Sequence, residues 1–111
     1  MRVLFICGKN RRRSPTAEQV FAEWHGVECA SAGLSRDADS PVSLELIEWA
    51  DLIIVMEKVH RTKLVARFNA RLADKRIVCI NIPDNYSFME PALIELLRTR
   101  VSPFLPVSRG V

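Results

Sequence analysis

MRVLFICGKNRRRSPTAEQVF, residues 1–21, sets an apolar run directly against a dense block of positive charge. Arg2–Ile6 reads as a buried strand, rich in branched and aromatic side chains. Lys9, Arg11, Arg12 and Arg13 then crowd beside Cys7. Ser14-Pro15 offers an N-cap followed by proline at the first helical position. Ala17, Val20, Phe21 and Trp24 recur at helical spacing and predict one apolar face. Cations this close repel one another, so the strand-to-helix loop is expected to hold an anion.

The same alternation of strand and helix continues outward from this stretch. Val27–Ser31 reads as a second strand ended by Ala32-Gly33, and Ser40-Pro41 as the start of a helix over Pro41–Ala50. Leu52–Met56 is the most apolar run and the expected central strand. A helix over Arg61–Phe68 with Asn69 as its stop follows, then a strand at Arg76–Ile80 and a turn-rich loop, Asn81–Asn85. Met89, Ala92, Leu93, Leu96 and Leu97 mark a last helix that stops before Pro103, leaving residues 103–111 as a tail. Strands alternating with helices through short connections predict an α/β fold, a four-stranded parallel sheet with helices on both faces. Such sheets bind ligands beyond the carboxyl ends of their strands, which singles out the loops after the first and fourth strands.

The bulk properties narrow the setting. The 111 residues suit one domain over 1–111, large enough to bury a core without cross-links. Hydrophobic residues at 49% and charged residues at 26% are ordinary for a globular chain, and no run approaches a membrane span. Met1–Cys7 is too short and too soon followed by charge to read as a signal peptide. Three cysteines, Cys7, Cys29 and Cys79, are odd in number and far apart, so neither a disulfide framework nor a metal site is expected. A reducing, cytoplasmic setting follows, with no cofactor, metal or membrane partner. The net charge of +3 hints only weakly at anionic partners, but much of the excess sits in one loop.

That loop has a chemistry of its own. Backbone N–H groups at a helix N-terminus suit phosphate, and Arg13 can grip two phosphate oxygens at once. The same field favours Cys7 as a thiolate, the nucleophilic form of the side chain. Ser14 can donate to that sulfur, and Asn10 can brace the loop through side chain–backbone bonds. The blander reading is an inert cysteine at a strand end beside a solvated basic loop. Trp24 and Trp49 read as core, Cys29 and Cys79 as buried strand thiols, and His25 and His60 as non-catalytic. Glu57–Lys63 reads as a solvated surface.

VLFICGKNRRRSPTAE resembles the phosphate-binding loop of the low-molecular-weight protein tyrosine phosphatases, C-x5-R-S-P after the first strand. CASAG (29–33), ADLIIVM (50–56) and the Asp84-Asn85-Tyr86 loop are similar to stretches of that family in the same order, most closely to its short bacterial branch. The resemblance implies a phosphotyrosine phosphatase I-like, flavodoxin-like fold in shortened form. It implies Cys7 as nucleophile, Arg13 as phosphate clamp and Asp84 as general acid. It also implies Asn10, Ser14 and Ser31 as supports of the loop and Tyr86 as a wall of the substrate pocket. From the residues alone, Asp84 could equally be a turn aspartate.

The chain departs from the family pattern in several places. The short span between Gly33 and Leu52 predicts loss of a helix and loop that support the phosphate loop, with a histidine of its network. Asn85 stands where the family has proline, and Arg12 where it often has a second cysteine. Gly8 and Arg11 replace apolar residues that flank a phosphotyrosine ring, so Gly8, Lys9, Arg11 and Arg12 are expected to form a basic substrate rim. Such a rim favours a second phosphate or a nucleic-acid backbone over a phenyl ring; the plainer alternative is that these side chains only face solvent. The expected function is a cysteine-dependent phosphatase acting through phosphocysteine, on phosphotyrosine protein or a small nucleotide or RNA phosphoester. A phosphate or sulfate ion is expected in the loop. The alternatives are a phosphate- or nucleic-acid-binding module without turnover and, least supported, an arsenate reductase, for which no resolving cysteine pair is present.

Overall fold

The computed structural model describes residues 1–107. Its elements run β1 (Arg2–Cys7), α1 (Arg13–Phe21), β2 (Glu28–Gly33), α2 (Leu44–Trp49), β3 (Leu52–Val55), α3 (Lys58–Phe68), β4 (Arg76–Cys79) and α4 (Pro91–Val101). The four strands form one parallel sheet, as expected, and their order is β2-β1-β3-β4. β1 pairs on both sides, with Cys7 opposite Gly33 and Ile6 opposite Val55. After β2 the chain crosses to the other side of β1, so β1 and β3 flank the switch in strand order. Their carboxyl ends are where such a sheet offers a crevice.

Alternation along β1 distributes the core over both faces. Val3, Phe5 and Cys7 face Ala17 and Phe21 of α1 and Leu93, Leu97 and Val101 of α4, with Phe5 and Phe21 stacked at 5.9 Å. Leu4 and Ile6 face Ile47 of α2 and Leu64 of α3. Fully burying side chains of this size contributes roughly 1.5–3 kcal/mol each. β1 is therefore pinned from two sides, which fixes where its last residue, Cys7, emerges.

Several boundaries differ from the expected ones, each for a visible reason. Ser14 does not cap α1. Its hydroxyl is engaged by Cys7 and Asn10, so the helix starts two residues earlier with Arg12 at the N-cap position. Ser40-Pro41 does not start α2. Gly33 N–H donates to Ser40 O at 2.9 Å and Val42 N–H to Gly33 O at 2.9 Å, holding this segment extended beside the end of β2. Ser43 caps α2 instead, accepting from Leu46 N–H at 3.2 Å. α3 begins at Lys58 rather than at residue 61, because Glu57 N–H donates to His60 Nδ1 at 3.1 Å and closes the first turn. Of the expected tail, Ser102–Phe104 form a 3-10 turn and Pro106 O accepts from Trp24 Nε1 at 2.8 Å. Residues 108–111 of that tail lie outside the described residues. No helix among the described residues is long and apolar enough to cross a membrane.

Candidate active site

Cys7 ends β1 with its side chain buried, and the chain then turns through Gly8–Arg12 into α1. Three carbonyls of this turn are drawn outward by the segment after β2. Leu34 N–H donates to Cys7 O at 3.0 Å, Ser35 N–H to Gly8 O at 2.8 Å, and Asp39 N–H to Lys9 O at 3.1 Å. Carbonyls held outward leave the peptide N–H groups facing the opposite way. In the three peptides so held, Asn10 N–H donates to Cys7 Sγ and the N–H groups of Gly8 and Lys9 donate to nothing else among the described residues. Residues 34–39 thus brace the loop. Gly33 makes the fit possible, since a Cβ there would sit 2.6 Å from Ala38 Cβ, 2.7 Å from Gly8 O and 2.9 Å from Asn10 N.

Inside the turn, hydrogen bonds converge on the sulfur. Asn10 N–H donates to Cys7 Sγ at 3.2 Å, and Ser14 Oγ lies 2.9 Å from the same atom. Asn10 adopts φ 56°, the left-handed region that asparagine tolerates, and its Nδ2 donates to Ser14 Oγ at 2.9 Å. Cys7, Asn10 and Ser14 form one buried network. Ser31 is not part of it; its hydroxyl donates to Glu18 Oε1 on α1, while Ala32 O lies 3.4 Å from Ser14 Oγ.

Arg13 closes the turn and is only 4% exposed. Its Nη1 donates to Glu57 Oε2 at 2.6 Å and to Ile82 O at 2.8 Å. Its Nε is buried with no hydrogen-bond partner, and the nearest carboxylate oxygen, Asp84 Oδ1, stands 3.6 Å away. The loops after β1, β3 and β4 therefore meet at one guanidinium. Asp84, expected from the fourth-strand loop, is brought to Arg13. Glu57 and His60, read from sequence as solvated surface, belong to the same cluster. His60 is 5% exposed, and burial together with the Arg13 charge pushes it down to about 4, so its imidazole is neutral at ordinary pH. A glutamate followed three residues later by a histidine at a helix start was the available signal for this pair.

A cavity of about 240 Å³ is lined by Cys7, Lys9, Arg11, Arg12, Arg13 and Asp84. The rim is less basic than its sequence implies. Lys9 Nζ donates to Asp37 at 2.7 Å, and Arg11 Nε to Asp39 at 3.1 Å with a further bond to Asp37 O at 2.9 Å. The Lys9 ammonium and the Ser35 hydroxyl hold the Asp37 carboxyl down at about 2. Arg12 is exposed and has no acidic partner among the described residues. Tyr86 is half-buried against the core beside α1 and α4 and does not line the cavity. Thr16 links the two walls: it donates to Arg12 O at 2.6 Å and accepts from Met89 N–H at 2.9 Å, in the loop that carries Asp84. The three cysteines are free, and Cys29 and Cys79 lie in β2 and β4, the opposite edges of the sheet. Burial and the nearby Glu18 push the Cys29 thiol up to about 11, so it stays protonated.

The fold of this chain is that of solved low-molecular-weight protein tyrosine phosphatases, and its own C-x5-R-S-P turn lies at the switch point of the β2-β1-β3-β4 sheet. Among solved structures it is similar to a low-molecular-weight protein tyrosine phosphatase from Bacillus subtilis, at 25% identity over 88% of this chain and 93% of that one, TM-score 0.69. It is also similar to Vibrio vulnificus Wzb in complex with benzylphosphonate, at 23% identity over 93% and 95%, TM-score 0.73. A mutant of the YwlE arginine phosphatase with a phosphorylated active-site serine matches at 24% identity over 99% of both chains, TM-score 0.73. No family model and no curated protein matches the chain.

Proposed function

We propose that the chain is a cysteine-dependent phosphatase that hydrolyses phosphomonoesters through a phosphocysteine intermediate. The observation that carries this reading is Arg13, buried to 4% exposure, with Nη1 anchored and Nε unpartnered above the Cys7 turn. A buried donor without an acceptor costs about 1–3 kcal/mol, and a phosphate oxygen is the acceptor that this position suits. The substrate phosphate would sit against the inward N–H groups of the turn with its phosphorus facing Cys7 Sγ. The thiolate forms the S–P bond as the ester oxygen leaves. Asp84, displaced from Arg13 by the phosphate, gives its proton to that oxygen. Water then attacks phosphorus and Asp84 takes its proton back. The S–P bond breaks to release inorganic phosphate, with Ser14 donating to the departing sulfur. The active-site serine phosphate of the YwlE mutant and the benzylphosphonate bound by Wzb support phosphate chemistry on this architecture.

The cavity lining supports a polar leaving group over a tyrosyl ring, because no aliphatic or aromatic side chain lines it among the described residues. With Lys9 and Arg11 engaged by aspartates, the rim gives less support to nucleic acid than the sequence alone did. The test is hydrolysis of para-nitrophenyl phosphate without added metal by wild type, Cys7→Ser and Asp84→Asn. Turnover lost in Cys7→Ser and slowed about 100-fold or more in Asp84→Asn is the expected result. A wild type that binds phosphate through Arg13 but turns nothing over would make this a binding module and refute the enzyme.

A further inference from the structure

Gly8 follows the nucleophilic cysteine, yet the backbone does not demand glycine there. Its φ is not positive, unlike that of Gly26. Packing does not demand it either: a Cβ would meet a single atom within 4 Å, His60 Nε2 at 3.8 Å. Gly33 is the contrast, where a Cβ would meet three atoms at under 3 Å. The missing side chain at position 8 therefore leaves usable space next to Cys7. The wall of that space is an imidazole with a proton to give. His60 Nδ1 accepts from Glu57 N–H at 3.1 Å, which places the proton of the neutral ring on Nε2. Nε2 makes no hydrogen bond among the described residues, although the side chain is more than nine-tenths buried. The nearest carboxylate oxygen, Glu57 Oε2, is 3.9 Å away and already held by Arg13 at 2.6 Å. The ring is buried but Nε2 itself reaches the open space, where such a donor suits an oxygen acceptor brought by a ligand.

We propose that the space beside Gly8, walled by His60 Nε2, is a subsite for a hydroxyl or ether oxygen on the leaving group, so that the pocket takes phosphoesters of sugars or polyols in preference to those of phenols. The proposal rests on the phosphatase reading above. A phenyl ring would bring no acceptor to Nε2 and would find no apolar wall in the cavity. An oxygen-bearing carbon chain offers an acceptor at the distance the missing Cβ leaves open. Arg13 and Lys63 disfavour the imidazolium and Glu57 and Asp84 favour it, and burial tips the balance to the neutral donor.

The experiment compares kcat/KM for ribose 5-phosphate with that for phenyl phosphate, in wild type, Gly8→Val and His60→Leu. Gly8→Val fills the space without a close contact at Cβ, and His60→Leu removes the donor. The expected result is a wild-type ratio favouring ribose 5-phosphate, reduced about tenfold in Gly8→Val and about five- to tenfold in His60→Leu. A ratio unchanged within about twofold in Gly8→Val, or a wild type that favours phenyl phosphate, overturns the subsite. If wild type hydrolyses neither compound, the phosphatase reading fails separately, and calorimetric affinities for the same pair decide. Gly8→Val weakening ribose 5-phosphate alone sustains the subsite, and equal weakening of both removes it. A variant inactive toward both substrates is judged by the same affinities.

Discussion

Ser14→Ala perturbs the turn at its most connected side chain, and the consequence can be worked from distances. Ser14 is fully buried, with Oγ 2.9 Å from Cys7 Sγ, 2.9 Å from Asn10 Nδ2 and 3.4 Å from Ala32 O. Asn10 Nδ2 can only donate, so the serine proton points to the sulfur or to the carbonyl, and the sulfur is nearer. A thiolate departing from phosphorus carries the full charge, and a hydrogen bond to a charged group is worth about 1.5–3 kcal/mol. At 1.36 kcal/mol per decade this is about 10- to 150-fold in the step that breaks the S–P bond. Formation of the intermediate needs the sulfur as nucleophile and gains nothing comparable from that donor. The variant should therefore form phosphocysteine and stall on it. Rapid-quench assays with para-nitrophenyl phosphate should show a near-stoichiometric burst followed by slow turnover, and acid-trapped phosphoenzyme should rise. A fall in kcat with no burst and no rise in trapped phosphoenzyme would refute the reasoning. Loss of the Oγ also orphans Asn10 Nδ2 in a residue 6% exposed, at about 1–3 kcal/mol of stability. A control is therefore needed: Asn10→Ala removes that amide but leaves Ser14 at the sulfur, so it should lower Tm without producing the burst.

Gly33→Ala places a methyl group 2.6 Å from Ala38 Cβ and 2.7 Å from Gly8 O, so it should cost about 1–3 kcal/mol and weaken phosphate binding. Thermal unfolding and calorimetric titration with inorganic phosphate check both; an unchanged Tm would contradict the close approach. His60 titrates at about 4 instead of the ordinary 6.5, so between those values the unfolded chain binds a proton that the folded chain refuses. Its contribution, about 3 kcal/mol, is thus present above pH 6.5 and lost as pH falls toward about 4. Urea unfolding at several pH values should show a shallower acid loss in His60→Gln; parallel curves would contradict it.

The sheet was legible because its strands carry their own signal. Val3–Ile6 and Leu52–Val55 are apolar throughout, as strands covered on both faces must be, and each ends at a loop rich in charge or turn formers. Helix starts were less legible, and two of the three misread ones share a cause. Ser14 and Ser40 sit before prolines and look like caps, but tertiary bonds claim them first. One hydroxyl is spent on Cys7 and Asn10, and the carbonyl of the other is tied to Gly33 beside β2. Local capping worth about 1 kcal/mol yields to a packed network.

At the site, the residues legible from one segment were found and those that depend on three segments meeting were not. Cys7, Asn10, Arg13 and Ser14 lie within eight positions of one another, so their spacing alone suggested a cradle. Glu57 and His60 follow β3, and their charges look solvated until the strand order sets β3 beside β1. Parallel pairing then brings the end of β3 level with the end of β1, and Glu57 reaches Arg13 while His60 faces Gly8. The basic rim was overread for the same reason. Lys9 and Arg11 look unopposed in sequence, but β2 runs parallel to β1 and returns Asp37 and Asp39 to the same edge. Four cations beside one cysteine thus divide by depth: the buried Arg13 keeps an unpartnered edge for phosphate, and the outer pair fastens the bracing segment whose N–H groups hold the loop carbonyls outward. The charge that suggested an anion site is partly the structural means of building it.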